Sequence, residues 1–321
     1  MERKIVLRQA QSPGDIVVLT GAVRDLKKAF PDYKIMVDTT CMDIWNNNPY
    51  ITFIAPKEKC ETFYIDYDRM YTKDKDYINL MDGNCGVHFS QAYNISLRQL
   101  LKVDFPQTSI WPDIHLIEKE KTSMSQIEST FAYKGKFWIV NAGYKKDYPL
   151  KDWGHENYQK MVDLLSDKVQ FVQIGEENED HIHEPLNGVF NLVGKTDSRE
   201  LIRLCYNSSG VVGPVSLQMH LAAAFRKPCI TISGGREPWR WEAYPNQKFL
   251  SINGQLSCCT ADGCWKNYLN KEQVLPYEFD QMDWKDKLCT NLSGGKAKCM
   301  QMIKPEDVVK EVLRYIEGGM A

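Results

Sequence analysis

Short apolar runs alternate with amphipathic stretches in this chain, and the alternation occurs twice. The first round opens with KIVL, passes through the loop QSPGD, and continues from Asp15 with Ile16, Leu19, Val23, Leu26 and Phe30 at helical spacing. Pro31-Asp32 stops that helix, and KIMVDT predicts the next strand. Strand, helix and strand in that order make a βαβ unit, which implies a parallel sheet. Further strands are predicted near ITFIA (51–55) and TFYIDYD (62–68), and a helix across VHFSQAYNISLRQLLKV (87–103).

The stretch 117–136 is polar and predicts a linker. Beyond it the alternation resumes: strand FWIVNAG, helix HENYQKMVDLLSD, strand VQFVQIG, then GVFNLVG, helix DSRELIRLCYNS, strand GVVGP, a helix over 216–226 and strand PCITISGG. A last helix, PEDVVKEVLRYIEGG, has Pro305 near its start and Gly-Gly at its end. A chain of 321 residues exceeds what one core usually covers. The expectation is α/β, with two doubly wound domains facing a central cleft: residues 1–130, and residues 131–321 with a cysteine-rich segment at 257–300.

Charge and hydropathy exclude other classes. The net charge of −2 argues for neither a nucleic acid nor an anionic membrane as partner. No apolar run reaches about 18 residues, so no transmembrane helix is expected. MERKIVLRQAQSPGD lacks the apolar core of a secretory signal. The expected location is therefore cytoplasmic, where the ten cysteines serve as thiols or metal ligands.

In open α/β sheets, ligands bind outside the carboxyl ends of the strands. The loops there are QSPGD, NAGYKKDYPLKDW, IGEENED, GPVSLQMH and SGGREPWRW. GPVSLQMH follows a strand and opens a helix, whose free N–H groups and dipole make an anion site. Ser216 is placed to cap it, and His220 lies one turn on. The histidine reads either as a ligand to phosphate or sugar, or as a ring packed under the loop. Asp15 reads as a helix cap or as a general base. Lys145, Lys146 and Lys151 suit phosphates, and Glu177 and Glu179 suit a ribose diol; each also reads as surface charge. Trp45, Trp239 and Trp241 read as sugar platforms or as core.

GDIVVLTGAVRDLKKAFPD, NLVGKTDSRELIRLC, GPVSLQMHLAAAFRKPCITISGG and CMQMIKPEDVV together resemble glycosyltransferase family nine, the lipopolysaccharide heptosyltransferases and their relatives. The resemblance runs from near residue 4 to near 315. It implies the GT-B fold, two Rossmann-like domains with the nucleotide sugar on the C-terminal one and the acceptor on the N-terminal one. It implies an inverting transfer of heptose or a related sugar from a nucleoside diphosphate, with no metal needed for chemistry. Asp15 matches the general base, and Ser12, Gly14 and Arg236 fall to the acceptor side. Gly143, Lys151, Glu179, Ser216, Leu217, Gln218 and His220 fall to the donor side. The implied partners are a nucleotide sugar, with an ADP-sugar favoured, and a glycan, lipid-linked or protein acceptor.

The family's donor loop usually reads Asp-Ser/Thr-Gly, whereas this chain has Val215-Ser216-Leu217. That departure leaves the donor sugar open. It also keeps an alternative in view, a scaffold that binds nucleotide or metal without turnover. An epimerase acting on nucleotide sugars is disfavoured by the SPGD pattern. Five cysteines follow residue 257. Cys259, Cys264, Cys289 and Cys299 form a candidate structural zinc or iron site, with Cys258 the spare thiol; buried thiols are the other reading.

Overall fold

A computed structural model of the chain describes residues 3–65, 86–274 and 284–319. The first part contains β1 (Lys4–Gln9), α1 (Pro13–Ala29), β2 (Lys34–Thr39), β3 (Glu61–Tyr64) and α2 (Phe89–Leu101). Its strands form a parallel sheet in the order β2-β1-β3. Two short helices follow, α3 (Glu118–Thr122) and α4 (Gln126–Phe131). The second part continues with β4 (Phe137–Asn141), β5 (Tyr144–Lys145), α5 (His155–Leu165), β6 (Gln170–Ile174), β7 (His181–Ile182) and β8 (Phe190–Asn191). It is completed by α6 (Ser198–Asn207), β9 (Gly210–Pro214), α7 (Leu217–Ala224), β10 (Cys229–Gly234), α8 (Trp239–Glu242), β11 (Gln247–Ser251), α9 (Lys298–Met302) and α10 (Pro305–Ile316). A six-stranded parallel sheet runs β11-β10-β9-β4-β6-β8.

Strand periodicity explains the layers. Successive side chains of β4 point to opposite faces. Phe137 and Ile139 join a core that also takes in β1, α1, α2, α6 and α7. Trp138 and Val140 join a second core with α5, α9 and α10. The first of these cores is continuous between the two sheets, and α1 and α7 meet inside it.

Two expectations fail locally. ITFIA is not a strand: Thr52 N donates to Ile35 O at 2.6 Å, but Phe53 is exposed and Pro56 has no N–H to extend a ladder. The expected strand TFYIDYD is β3 as far as Tyr64, and its last residues lie outside the described ones. The polar 117–136 stretch is not a plain linker either, since it holds α3 and α4. Arg199, at the start of α6, anchors it. Its guanidinium meets Glu120 twice (2.6 and 2.8 Å) and donates to His115 O (2.6 Å) and Asp43 O (3.3 Å).

Arg199→Ala is expected to lower stability by about 2 kcal/mol, because it removes charge-assisted bonds that tie α6 to the first part of the chain. Arg199→Lys should recover only a fraction, lacking the planar fork. Urea unfolding midpoints of the three proteins check this.

Candidate active site between two helix ends

Chain order in the six-stranded sheet reverses between β4 and β9. Crevices at such switch points are where open α/β sheets take ligands. Asn141 Nδ2 donates to Gln218 Oε1 (3.1 Å), and Gln218 Nε2 donates to Pro214 O (2.7 Å). Gln218 is buried, so its amide braces the crevice wall. A Cβ on Gly213 would stand 2.8 Å from Gln218 Nε2, which is why that strand residue carries no side chain.

Ser216 occupies the N-cap position of α7, exposed and with extended backbone, but its side chain makes no capping hydrogen bond, leaving the helix N-terminus open. The start of α1 meets it. A Cβ on Gly14 would lie 3.3 Å from His220 Cδ2 and 3.5 Å from Leu217 Cα. Two positive helix ends thus converge, a field that favours an anion. Asp15 sits in the first turn of α1, half-buried, with Oδ2 accepting from Ser12 N at 3.0 Å. The capping reading of Asp15 is satisfied, and its carboxylate also stands close enough to Glu242 to act on it electrostatically.

His220 is 4% exposed, and its Nδ1 lies 3.0 Å from Tyr244 Oη. Burial pushes its pKa down to about 3, with His88 and Lys151 adding to the effect. Any contact it makes with a ligand is therefore a hydrogen bond from a neutral ring. Tyr244 stacks on Trp111 (5.6 Å) and meets the edge of His88 (5.0 Å). His88 begins α2 by accepting from Ser90 N, and burial lowers its pKa to about 4.

Lys151 reaches the same place from the loop after β4. Its Nζ donates to Val215 O (3.1 Å) and pairs with Glu237 Oε1 (2.9 Å). Burial pushes the Glu237 carboxyl up, but the Arg236 and Lys151 cations hold it below the ordinary range. Burial, with Glu237 and Asp15 nearby, drives Glu242 up. Arg236, expected on the acceptor side, has its guanidinium committed to partners within the chain. It is buried, donates to Lys266 O (2.7 Å) and Asn267 Oδ1 (2.8 Å), pairs with Glu237 and stacks over Tyr148 and Trp265. Packing needs of the cysteine-rich segment hold it there.

Other expected residues stand apart. Glu179 is fully open to solvent on the loop after β6. Gly143 makes a close approach: a Cβ there would meet His183 Nδ1 at 2.0 Å and Ile182 O at 2.3 Å. Trp45 and Trp241 are core residues, and Trp239 is 57% exposed. Cys258, Cys259, Cys264, Cys289 and Cys299 line one cavity of about 20 Å³, beside Arg236. Among the described residues, no three His, Cys, Asp or Glu side chains converge on a point in metal-holding geometry.

The sequence reading passed over His88, Glu237, Glu242 and Tyr244. Its available signal was the run GREPWRWEAYP, where two carboxylates flank tryptophans just past a strand end.

The buried histidines make stability depend on pH. Their native pKa values lie below the unfolded value of about 6.5, so the unfolded chain binds more protons in acid. Stability is intact above about pH 6.5 and is lost as pH falls toward the native values. His88 and His220 should each cost about 2 kcal/mol at pH 5 relative to pH 7. Urea unfolding at both pH values should show a smaller loss in His88→Gln and His220→Gln than in the parent.

The family model for glycosyltransferase family 9 (heptosyltransferase) matches residues 67–266. Lipopolysaccharide heptosyltransferase 2 of Salmonella typhimurium is 26% identical over 161 residues, 46% of this chain and 44% of that protein. The Haemophilus influenzae lipooligosaccharide heptosyltransferase 2 is 33% identical over 100 residues, 28% and 29% of the two chains. The chain thus matches less than half the length of these curated relatives. The fold is that of the iron-containing dodecameric glycosyltransferase TibC from enterotoxigenic E. coli (TM-score 0.64, 15% identity, 99% of this chain and 77% of that one). TibC has also been solved in complex with ADP-D-β-D-heptose (TM-score 0.63, 14% identity, 98% and 76%). These comparisons and the paired parallel sheets make the architecture GT-B, and the chain belongs to glycosyltransferase family 9, the heptosyltransferase family.

Proposed function

We propose that this chain is a glycosyltransferase that moves a sugar from a nucleoside diphosphate to an acceptor hydroxyl with inversion at the anomeric carbon. The observation that carries the reading is the meeting of the α1 and α7 N-termini at Gly14, with Asp15 on one side and the open turn at Ser216 on the other. The free N–H groups of α7 would receive the pyrophosphate. Lys151 has two of its three protons committed to Val215 O and Glu237, leaving one for a phosphate oxygen. As the leaving group gathers charge, these donors stabilise it where it develops. Asp15 would take the proton of the acceptor hydroxyl as that oxygen attacks. If Tyr244 Oη donates to Nδ1, 3.0 Å away, His220 would carry its ring proton on Nε2 and offer it as a neutral donor.

An ADP-heptose donor is supported by family membership and by the ligand of the TibC complex. The named relatives act on lipopolysaccharide or lipooligosaccharide, which supports a glycan or lipid-linked acceptor. A protein acceptor remains within the proposal. Lack of a helix long and apolar enough to cross a membrane among the described residues is compatible with work in the cytoplasm.

What supports a structural metal at the cysteine cavity is its chemistry, five thiols around a small space, and the thiols would have to draw together to hold it. Cys259, Cys264, Cys289 and Cys299 would hold zinc or iron, a site that pins the 257–300 segment and takes no part in transfer. One equivalent of metal by elemental analysis is expected, with a lower melting temperature after chelation; metal-free protein of unchanged stability would remove this part of the reading.

Asp15→Asn keeps a capping acceptor, so folding and nucleotide binding should survive while turnover falls by about two to four orders of magnitude. Release of ADP from ADP-heptose, followed with a supplied acceptor, measures it. Turnover near that of the parent would remove Asp15 as the base, and no binding of any nucleoside diphosphate by the parent would remove the reading itself.

A further inference from the structure

Glu237 and Glu242 take no part in the reaction as derived so far, yet they are among the most deeply buried charges in the described residues. Glu237 is 3% exposed and Glu242 6%. One oxygen of Glu237 is held by Lys151 and Arg236. The other, Oε2, has no hydrogen-bond partner among the described residues, and neither has Oε2 of Glu242. Buried polar atoms in native proteins are nearly always paired, so two orphans in one place call for a ligand.

Their surroundings restrict what that ligand is. Glu242 lies two residues before Tyr244, whose Oη is 3.0 Å from His220 Nδ1 and whose ring meets His88, so this carboxyl belongs to the groups packed around the start of α7, and Asp15, Glu237, Lys151 and Arg236 all act on it. The charged carboxylate of Glu237 repels phosphate and accepts hydrogen bonds, and the neutral carboxyl of Glu242 can both accept and donate them, so the pair suits a group rich in hydroxyls. The phosphate position lies next door. Lys151 spans the two, 2.9 Å from Glu237 Oε1 and 3.1 Å from the carbonyl of Val215, the residue before the α7 cap. A glycosyl group is bonded directly to the pyrophosphate, so its ring hydroxyls fall within reach of the pair.

We propose that Glu237 and Glu242 determine sugar specificity, receiving hydroxyls of the transferred glycosyl group on their Oε2 atoms while Lys151 separates them from the pyrophosphate. The assignment rests on the nucleotide-sugar reading above. It restricts the donor to a sugar with at least two hydroxyls directed at the pair. A site built to bond hydroxyls discriminates strongly against ligands that lack them, because its own polar groups are then left unpaired.

Isothermal titration of the full chain with ADP and with ADP-D-β-D-heptose tests it. In Glu242→Ala the Kd for ADP should stay within about twofold of the parent, and the Kd for the nucleotide sugar should rise about tenfold or more. Glu242→Gln, which keeps the shape, takes its place if the alanine variant fails to melt cooperatively, and should raise the same ratio. An unchanged ratio of the two constants, or equal losses for both ligands, overturns the proposal. Parent protein that binds ADP but gains nothing from the sugar overturns it too, and leaves the nucleotide site standing. Parent protein that binds neither ligand overturns the ADP-heptose reading and this assignment with it.

Discussion

Everything at the candidate site depends on how closely two helix ends approach. The starts of α1 and α7 touch at Gly14, where even a Cβ would stand 3.3 Å from the His220 ring. Even an alanine there would require the His220 ring to give by a few tenths of an ångström. The contact belongs to a core continuous between the two sheets, so its geometry is set by packing on both sides. Converging helix dipoles then make the gap electropositive, which favours an anion there.

Around that gap the protein buries an unusual amount of polar chemistry. His88 and His220 are kept neutral by burial. Glu237 is held charged by Arg236 and Lys151, while at Glu242 burial outweighs the same two cations and drives it toward its neutral form. These groups arrive from the helix start of α2, from α7, and from the β10–β11 connection. Such an arrangement gains nothing for folding, since unpaired buried polar atoms destabilise. It is understandable as a preorganised site whose remaining partners arrive with the ligand.

Much of the architecture was legible in the residues. Helical spacing from Ile16 to Phe30 announced α1, and the β-branched runs announced β4, β6, β9 and β10, because local periodicity follows directly from which face is buried. ITFIA misled because an apolar run says nothing of whether a neighbour offers a ladder, and Pro56 closes it off. The 117–136 stretch looked like a linker because α3 draws its support from Arg199, 79 positions beyond Glu120. At the site, Asp15, Ser216 and His220 were legible because they sit at strand-to-helix turns. The partners of Arg236 were not legible, because a strand-end position does not reveal which way its side chain turns.

The sequence alone determined the βαβ alternation, the polar and apolar faces of each element, the turns that open α1 and α7, and the family. Those are local properties, set by spacing and by backbone preference within a few residues. Only the tertiary structure decided that Gly14 meets Leu217 and His220, that Lys151 ties Val215 to Glu237, and that Tyr244 meets His88 and His220. These pairs are separated by tens to hundreds of positions. Their approach is fixed by how two sheets pack across a shared core, and burial, which sets their charge, exists only once that packing is complete.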